Sequence, residues 1–388
     1  MLLRVTSLIS QLIIIAVFMF NQIYCQQKES EKPSTQTISS SEQTVKTLRF
    51  KKFSCVDTQG IGIEAFSMLI PSDWQFEGGM QWVLDNPAMP ARAAFRVYNP
   101  KGAEEFEVFP NQPFFWTNNQ MLLYTFPVGS KYFGNEVHPQ VGPIEALKQV
   151  ILPRFRYNVA DLRVTKEELL PELAKALGAG TQSQPGVTNS AEGAKIRIEY
   201  NYNGKNIEEE IYGVVESFAF SFPTMSGTVT NNNWTVDYIF SFKSEKGKLD
   251  SNAKLFQTIG YSFRINPQWF NKYSQLVEYL IQQQIQQIHN IGQISKIISQ
   301  TNNEISDMLM DSYNKRQAVN DEISKNFSQY IRGVDEYYNP VEQKSVELPS
   351  GYNNAWANNL GEYIISDSPG FNPNIDSNLN WQQIERKK

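Results

Sequence analysis

Ile196-Arg-Ile-Glu-Tyr-Asn-Tyr202 alternates apolar and polar side chains, Asn203-Gly204 follows, and a second apolar and aromatic run covers Val214–Phe222. A period of two sends successive side chains to opposite faces of a strand. Asn-Gly adopts the positive φ that both central residues of a tight hairpin turn require. The stretch therefore predicts two long antiparallel strands joined by a two-residue turn. Working outward, strand-like runs recur at Trp234–Phe242 and, upstream, at Ile63–Ile70, Gln75–Val83, Ala93–Tyr98, Phe106–Phe109 and Met121–Phe126. Gly78-Gly79 and Lys246-Gly247 lie between apolar runs and read as further hairpin turns. Two helices are expected among these strands. Pro143 starts the first, with Ile144, Leu147, Val150 and Ile151 at helical spacing. Thr165-Lys166-Glu167-Glu168 has the form of a capping box, followed by Leu169, Leu170, Leu173 and Leu177 and stopped by Gly178. The Gly/Ser/Gln/Thr-rich segment 178–193 reads as a mobile loop. Residues 48–266 are thus expected to form an α+β domain, an antiparallel sheet with flanking helices.

After Pro267 the period changes. Leu276, Leu280, Ile281, Ile285, Ile288, Ile291, Ile294 and Ile298 are spaced by threes and fours, and the pattern resumes from Ile305 to Tyr330. This predicts a long amphipathic helical segment over 267–332, about 90 Å if roughly 60 residues were unbroken. Gly292 or Thr301-Asn302-Asn303 would bend it or fold it into an αα-hairpin. Within Ile281–Gln300, Lys296 is the only charged residue. An isoleucine stripe beside uncharged Gln suggests contact around much of the helix: packing on the chain itself, or a homo-oligomer joined through Ile281, Ile285 and Ile288. Residues 333–388 read as a small β module with Tyr337, Tyr352, Trp356, Tyr363, Phe371 and Trp381 as its core and Trp356 in a loop.

The N-terminus has the form of an export signal over 1–25: Arg4, then an apolar run from Leu8 to Phe20 that is short for a bilayer span. Cys25 is a candidate lipid-attachment residue, although a bulky Tyr24 precedes it. The polar stretch 26–47 reads as a disordered tether. The expected location is extracytoplasmic: periplasmic, outer-surface or secreted, with membrane contact only through this N-terminal segment. Cys55 then has no partner for a disulfide and is expected as a small buried hydrophobe in the first strand.

Ile70-Pro71-Ser72-Asp73-Trp74 resembles the opening of PsbP-like domains, and Phe256, Ile259 and Ser262-Phe263 resemble their closing helix and strand. The resemblance covers 48–266. It implies a non-catalytic, extracytoplasmic assembly or binding module, with no shared catalytic residues to transfer.

Composition narrows the chemistry. The 388 residues hold 35 Lys and Arg, 40 Asp and Glu, two His and two Cys, for a net charge of −5. That balance offers no basic face for nucleic acid. Two histidines exclude a three-His metal centre, and two cysteines exclude Cys₄ zinc. No nucleophile elbow, Walker A or complete dinucleotide fingerprint occurs; His138 and His289 have no orienting partner in sequence, and no cofactor is called for. The Asn372, Asn374, Asp376, Asn378, Asn380 series fails the calcium-loop test at Ser377 and Gln383. Glu104/Glu105 and Glu208/Glu209/Glu210 are expected to be solvated. What remains is aromatic and amide chemistry. Trp116 and Tyr124 lie in an aromatic segment flanked by Asn and Gln, and Tyr352, Trp356, Asn358 and Glu362 form a smaller version. Flat apolar rings beside amides suit a glycan or a peptide, although the same rings can serve as core. The expected function is an exported cell-envelope binding or assembly protein that recognises protein or glycan without catalysis. A secreted hydrolase built from scattered carboxylates and His138, and a self-associating structural protein, are the alternatives.

Overall fold

The computed structural model describes residues 47–176, 185–225, 227–283, 285, 287–301, 304–328, 334–375 and 377–387, with the backbone alone at 176 and over 322–328. The expected signal and Cys25, the tether up to 46, and 177–184 of the expected loop lie outside these residues.

The hairpin around Asn203-Gly204 dominates the chain. In order come β1 (Thr47–Val56), β2 (Glu64–Pro71), β3 (Gln75–Trp82), β4 (Ala91–Tyr98), β5 (Glu105–Val108) and β6 (Gln112–Thr117). The short β7 (Lys131–Tyr132) and β8 (Asn135–Val137) precede β9 (Ala160–Leu169), β10 (Val187–Tyr202), β11 (Lys205–Thr224) and β12 (Gly227–Glu245). Tyr202 pairs with Lys205, and Asn203 and Gly204 have φ of 51° and 76°, as the turn requires. Strands β10, β11 and β12 run 16, 20 and 19 residues and anchor a ten-stranded sheet in the order β3-β4-β5-β12-β11-β10-β9, with β6 also on β12. One face packs on a helical run, α2, which passes from Pro143–Ala146 through a π-turn at Leu147–Ile151 into Leu152–Phe155. Leu147, Val150 and Ile151 there meet Ile196, Ile198, Ile211, Trp234 and Val236. Gly213 permits the approach, since a Cβ there would stand 2.9 Å from the Leu147 side chain.

The opposite face packs Phe95, Phe106, Tyr212 and Phe242 against Phe66, Trp74 and Phe256, the last on helix α4 (Ala253–Tyr261). Phe66 belongs to a second sheet, ordered β13-β2-β1-β17-β16-β18, where β13 is Arg264–Ile265, β16 Asn354–Ala357, β17 Glu362–Ser366 and β18 Gln382–Gln383. A third sheet joins β14 (Val334–Asn339), β15 (Lys344–Pro349) and β19 (Glu385–Arg386).

Several expectations are corrected here. The chain is mostly β, 45% strand against 24% helix, so the α+β class with a long amphipathic helix does not hold. The described residues of 267–332 form three helices: α5 (Pro267–Gln282), α6 (Ile291–Gln300) and α7 (Asp307–Ser328). The first break precedes Gly292. Asn290, whose side chain accepts from Gln293 N at 3.0 Å, caps α6, while Ile288 N donates to Leu84 O. The C-terminal strands are no separate module, because β17 pairs with β1 along Thr47–Lys51. Their Tyr363 and Ile365 share a core with Phe50 and Leu69.

Four local readings also change. Met121–Phe126 is not a strand; Gln120–Thr125 is a helix, α1, because Asn119 caps it by accepting from Met121 N and Leu122 N. Thr165–Glu168 does not open a helix but lies inside β9, and α3 (Pro171–Ala176) starts after it. Gly78-Gly79 is not a turn but lies within β3, at φ of 98° and 145°. A Cβ on Gly78 would stand 2.3 Å from Ala94 O. The segment expected as a loop over 178–193 is strand from Val187 onward.

Candidate functional site

Next to the edge strand β18 of the six-stranded sheet, β16 lies between β17 and β18. Trp356 pairs with Ile364 on one side and Gln383 on the other, so these side chains share a face. This face is turned away from the Tyr363 core. The loop after β17 folds back over it: Asn354 Nδ2 donates to Ser368 O at 3.0 Å. Asn374 closes the base of the loop, accepting from Trp381 N and donating to Trp381 O, each at 2.8 Å. Trp356 and Trp381 are thereby buried with Ile364, and Phe371 packs against them with its ring edge-on to Trp356, centroids 5.3 Å apart.

The result is an open pocket of about 420 Å³ lined by Asn354, Trp356, Pro369, Gly370, Phe371, Asn372, Asn374, Trp381 and Gln383. No lining residue is ionisable. Gln383 Nε2 donates to Asn354 Oδ1 at 3.3 Å, and Asn372 Oδ1 accepts from Asn374 N at 3.0 Å. Among the described residues, Gln383 Oε1, Asn372 Nδ2 and the Trp356 indole N–H have no hydrogen-bond partner. Two donors and an acceptor beside aromatic edges can hold hydroxyl groups; they cannot move protons.

Of the residues singled out from sequence for ligand binding, only Trp356 lines this pocket. Asn358 is buried and serves the turn before β17: its Oδ1 accepts from Leu360 N and Glu362 N, and its Nδ2 donates to Glu362 Oε2 at 2.8 Å. Glu362 also binds Arg49 at 2.8 Å, and that guanidinium sits over the Trp381 ring, 5.4 Å from its centroid. Glu362 thus supports the pocket wall from outside. Tyr352 is half-buried against the other core. Phe371 and Trp381 read as core in sequence, and Asn372 and Asn374 as part of a failed calcium loop. Their common signal was an amide series next to two rings, but only the folded-back loop unites it with Trp356.

Trp116 and Tyr124 lie elsewhere. Trp116 is half-buried on β6 opposite Asn232, and Tyr124 is exposed on α1. Ile288 is buried with Leu276, Leu280, Ile294 and Ile297 of the same chain, while Ile281 and Ile285 are half-buried.

The carboxylate runs singled out from sequence are held in the structure. The Glu208–Glu210 run is not solvated: Glu209 is fully buried with Arg156 and Tyr200, and Glu210 is buried with Lys195, Arg197 and Tyr212. Glu105 is buried against Lys243 at 2.6 Å. His138 Nδ1 lies 2.7 Å from Pro139 O, so that nitrogen carries a proton, and the ring lies tilted beside the stacked Phe114–Trp234 pair. No carboxylate orients it among the described residues, and the nearby Glu136 is held by Arg154 at 2.6 Å. Burial pushes the Cys55 thiol up, away from the thiolate that nucleophilic chemistry needs. Among the described residues no group of three His, Cys, Asp or Glu could hold a metal ion, and no helix is long and apolar enough to cross a membrane. No protein-family model and no curated protein matches this sequence.

Proposed function

We propose that this chain is an exported binding protein that takes a neutral, hydroxyl-rich ligand, a glycan chain, in the Trp356–Trp381 pocket. One observation carries the reading: every residue lining the pocket is aromatic, amide, Pro or Gly, and none can be charged. Sugar rings offer C–H groups to aromatic faces and hydroxyls to amides, and they need no counter-ion. A hydrolase would need two carboxylates or a histidine converging on an open cavity. No carboxylate lines this pocket, and Glu105, Glu136, Glu209 and Glu210 are held in ion pairs away from it, which favours recognition over bond cleavage here. The signal-like segment Arg4–Phe20 and the polar stretch after it support an extracytoplasmic setting, as does the resemblance of 48–266 to PsbP-like domains.

The test is a titration of the protein with neutral oligosaccharides, followed by tryptophan emission, with anionic oligosaccharides in parallel. A saturable shift with neutral ligands is expected, weakened about fivefold by Gln383→Ala through loss of one hydrogen-bond partner. Gln383 is exposed, so the variant keeps its fold. Exclusive binding of charged ligands, or equal affinity of the variant, would remove the assignment.

A further inference from the structure

From Val108 to Ser130, and again from Ser217 to Val236, the chain contains no Lys, Arg, Asp or Glu, although 19% of its residues are charged. The fold brings these two segments together. β6 pairs with β12 from Gln112–Val236 to Thr117–Asn231, and the β11–β12 hairpin projects beyond that pairing to its tip at Thr224–Gly227. Asn118 ties the end of β6 to the projecting strand, donating from Nδ2 to Thr228 O at 3.0 Å and accepting at Oδ1 from Thr230 N at 2.9 Å. The next residue, Asn119, caps α1. The hairpin tip and α1 are therefore neighbours held by hydrogen bonds.

Both elements carry large apolar side chains into water. Met225 is 110% exposed, Tyr124 91%, Met121 80% and Phe222 40%. Val128, on the loop after α1, is also exposed. These side chains lie on α1, near the end of β11, at the hairpin tip and on the loop after α1, so they suit a soft surface they can enter better than a shaped protein partner. Behind them come amides and hydroxyls, Asn118, Asn119 and Thr228, at the level where a bilayer presents its headgroups. Tyr124 joins an apolar ring to a polar tip, the chemistry enriched at membrane interfaces. The absence of charge excludes attraction to anionic lipid as the driving force and matches an uncharged, zwitterionic interface.

We infer that the β11–β12 tip and α1 form a membrane-touching end that inserts Met121, Tyr124, Phe222 and Met225 into the interface of a zwitterionic bilayer. This surface is separate from the glycan pocket and does not depend on it.

The experiment uses the full chain with phosphatidylcholine vesicles. Tryptophan is placed at the tip by Met225→Trp, and its emission is taken as the difference from the parent chain. On vesicle addition it should shift to the blue and be quenched by lipids brominated in the upper acyl chain. That readout is blind to any binding through the apolar run Leu8–Phe20. In parallel, Phe222→Asp with Met225→Asp should lower the vesicle-bound fraction about tenfold or more, through loss of buried apolar area. The loss should be insensitive to salt. An unshifted, unquenched reporter overturns the inference. So does a dimer of the parent chain that the two aspartates dissociate while the reporter stays in water, which would make the occupant a second copy of the chain.

Discussion

Arg156→Met tests whether the buried ion pair on the α2 face of the large sheet is held by its partner or merely tolerated. Arg156 Nε donates to Glu209 Oε2 at 2.8 Å, and its terminal nitrogen reaches Glu209 Oε1 at 2.5 Å and Glu107 Oε2 at 2.7 Å. Tyr200 Oη donates to Glu209 Oε2 at 2.8 Å, and the guanidinium lies over Phe109. Burial alone pushes the Glu209 carboxyl up; the Arg156 charge and hydrogen bonds more than reverse this and hold it below the ordinary carboxylate range. Methionine fills the volume but leaves a buried carboxylate with only Tyr200 and more distant cations. Breaking a buried pair from one side costs about 3–5 kcal/mol at pH 7. The pH dependence gives the sharper criterion. In the parent, the depressed Glu209 contributes stability above its unfolded pKa of about 4.3, lost only as pH falls through the lower folded value. In the variant the folded value lies above the unfolded one, so its contribution is present in acid and lost as pH rises. The two stability curves must converge on acidification, to a gap of about 1–2 kcal/mol at pH 4 from lost packing. Urea unfolding at pH 7 and pH 4, read by tryptophan emission with the slope checked for two-state behaviour, measures this. A deficit below about 1 kcal/mol at pH 7, or a deficit equal at both pH values, would refute the reasoning.

Two more expectations concern buried acids. Asp57 accepts four hydrogen bonds: Gly60 N and Trp82 Nε1 at Oδ1, and Ile61 N and Trp269 Nε1 at Oδ2. Asp57→Asn turns one oxygen into a donor facing two donors, so a loss of about 2–4 kcal/mol is expected by urea unfolding, and a loss near zero would show that the clasp is dispensable. Glu216, opposite Ala191 and Thr235, is pushed up to about 7 by burial and by Asp237, against the opposing Arg316. A raised folded pKa contributes stability in full below about pH 4 that is lost as pH rises through 7. Glu216→Gln should therefore flatten the stability profile between pH 5 and 8 and gain about 1–2 kcal/mol at pH 8; an unchanged slope would show that another group is responsible.

The sequence was most legible where a short-range signal and a long-range partner agreed. Asn203-Gly204 closes its hairpin because the two residues accept positive φ and the flanking runs alternate in matching register. Pro143 and the Leu147–Ile151 spacing likewise gave the helix that packs on it. Where local chemistry was ambiguous, tertiary contacts decided. Thr165-x-x-Glu168 satisfies a capping rule, yet β9 wins because pairing with Lys166–Leu169 extends the β10 ladder. Gly78-Gly79 looks like a turn, but Gly78 is needed inside β3, where the backbone of β4 leaves no room for a Cβ, and Gly79 holds a positive φ there.

The candidate pocket was legible only in fragments. Composition pointed to aromatic-amide recognition, and Trp356 was named for it, but Asn358 and Glu362 proved to clasp a turn. Recognising the lining required knowing that the loop after β17 folds back over β16, a contact between residues that no local period links.

From residue order alone follow the strand alternation, the tight turn, the helix start at Pro143, the lack of a metal or nucleophile motif, and the neutral character of the amide-rich stretches. These depend on the conformational preferences of a few adjacent residues. The tertiary structure alone decided that the C-terminal strands complete the sheet begun by β1, that the described residues after Pro267 fold as three helices, and that Glu209 and Glu210 are buried. Those outcomes depend on which distant surfaces exclude water together, and a chain with several amphipathic segments of similar strength can choose among them only when all are present.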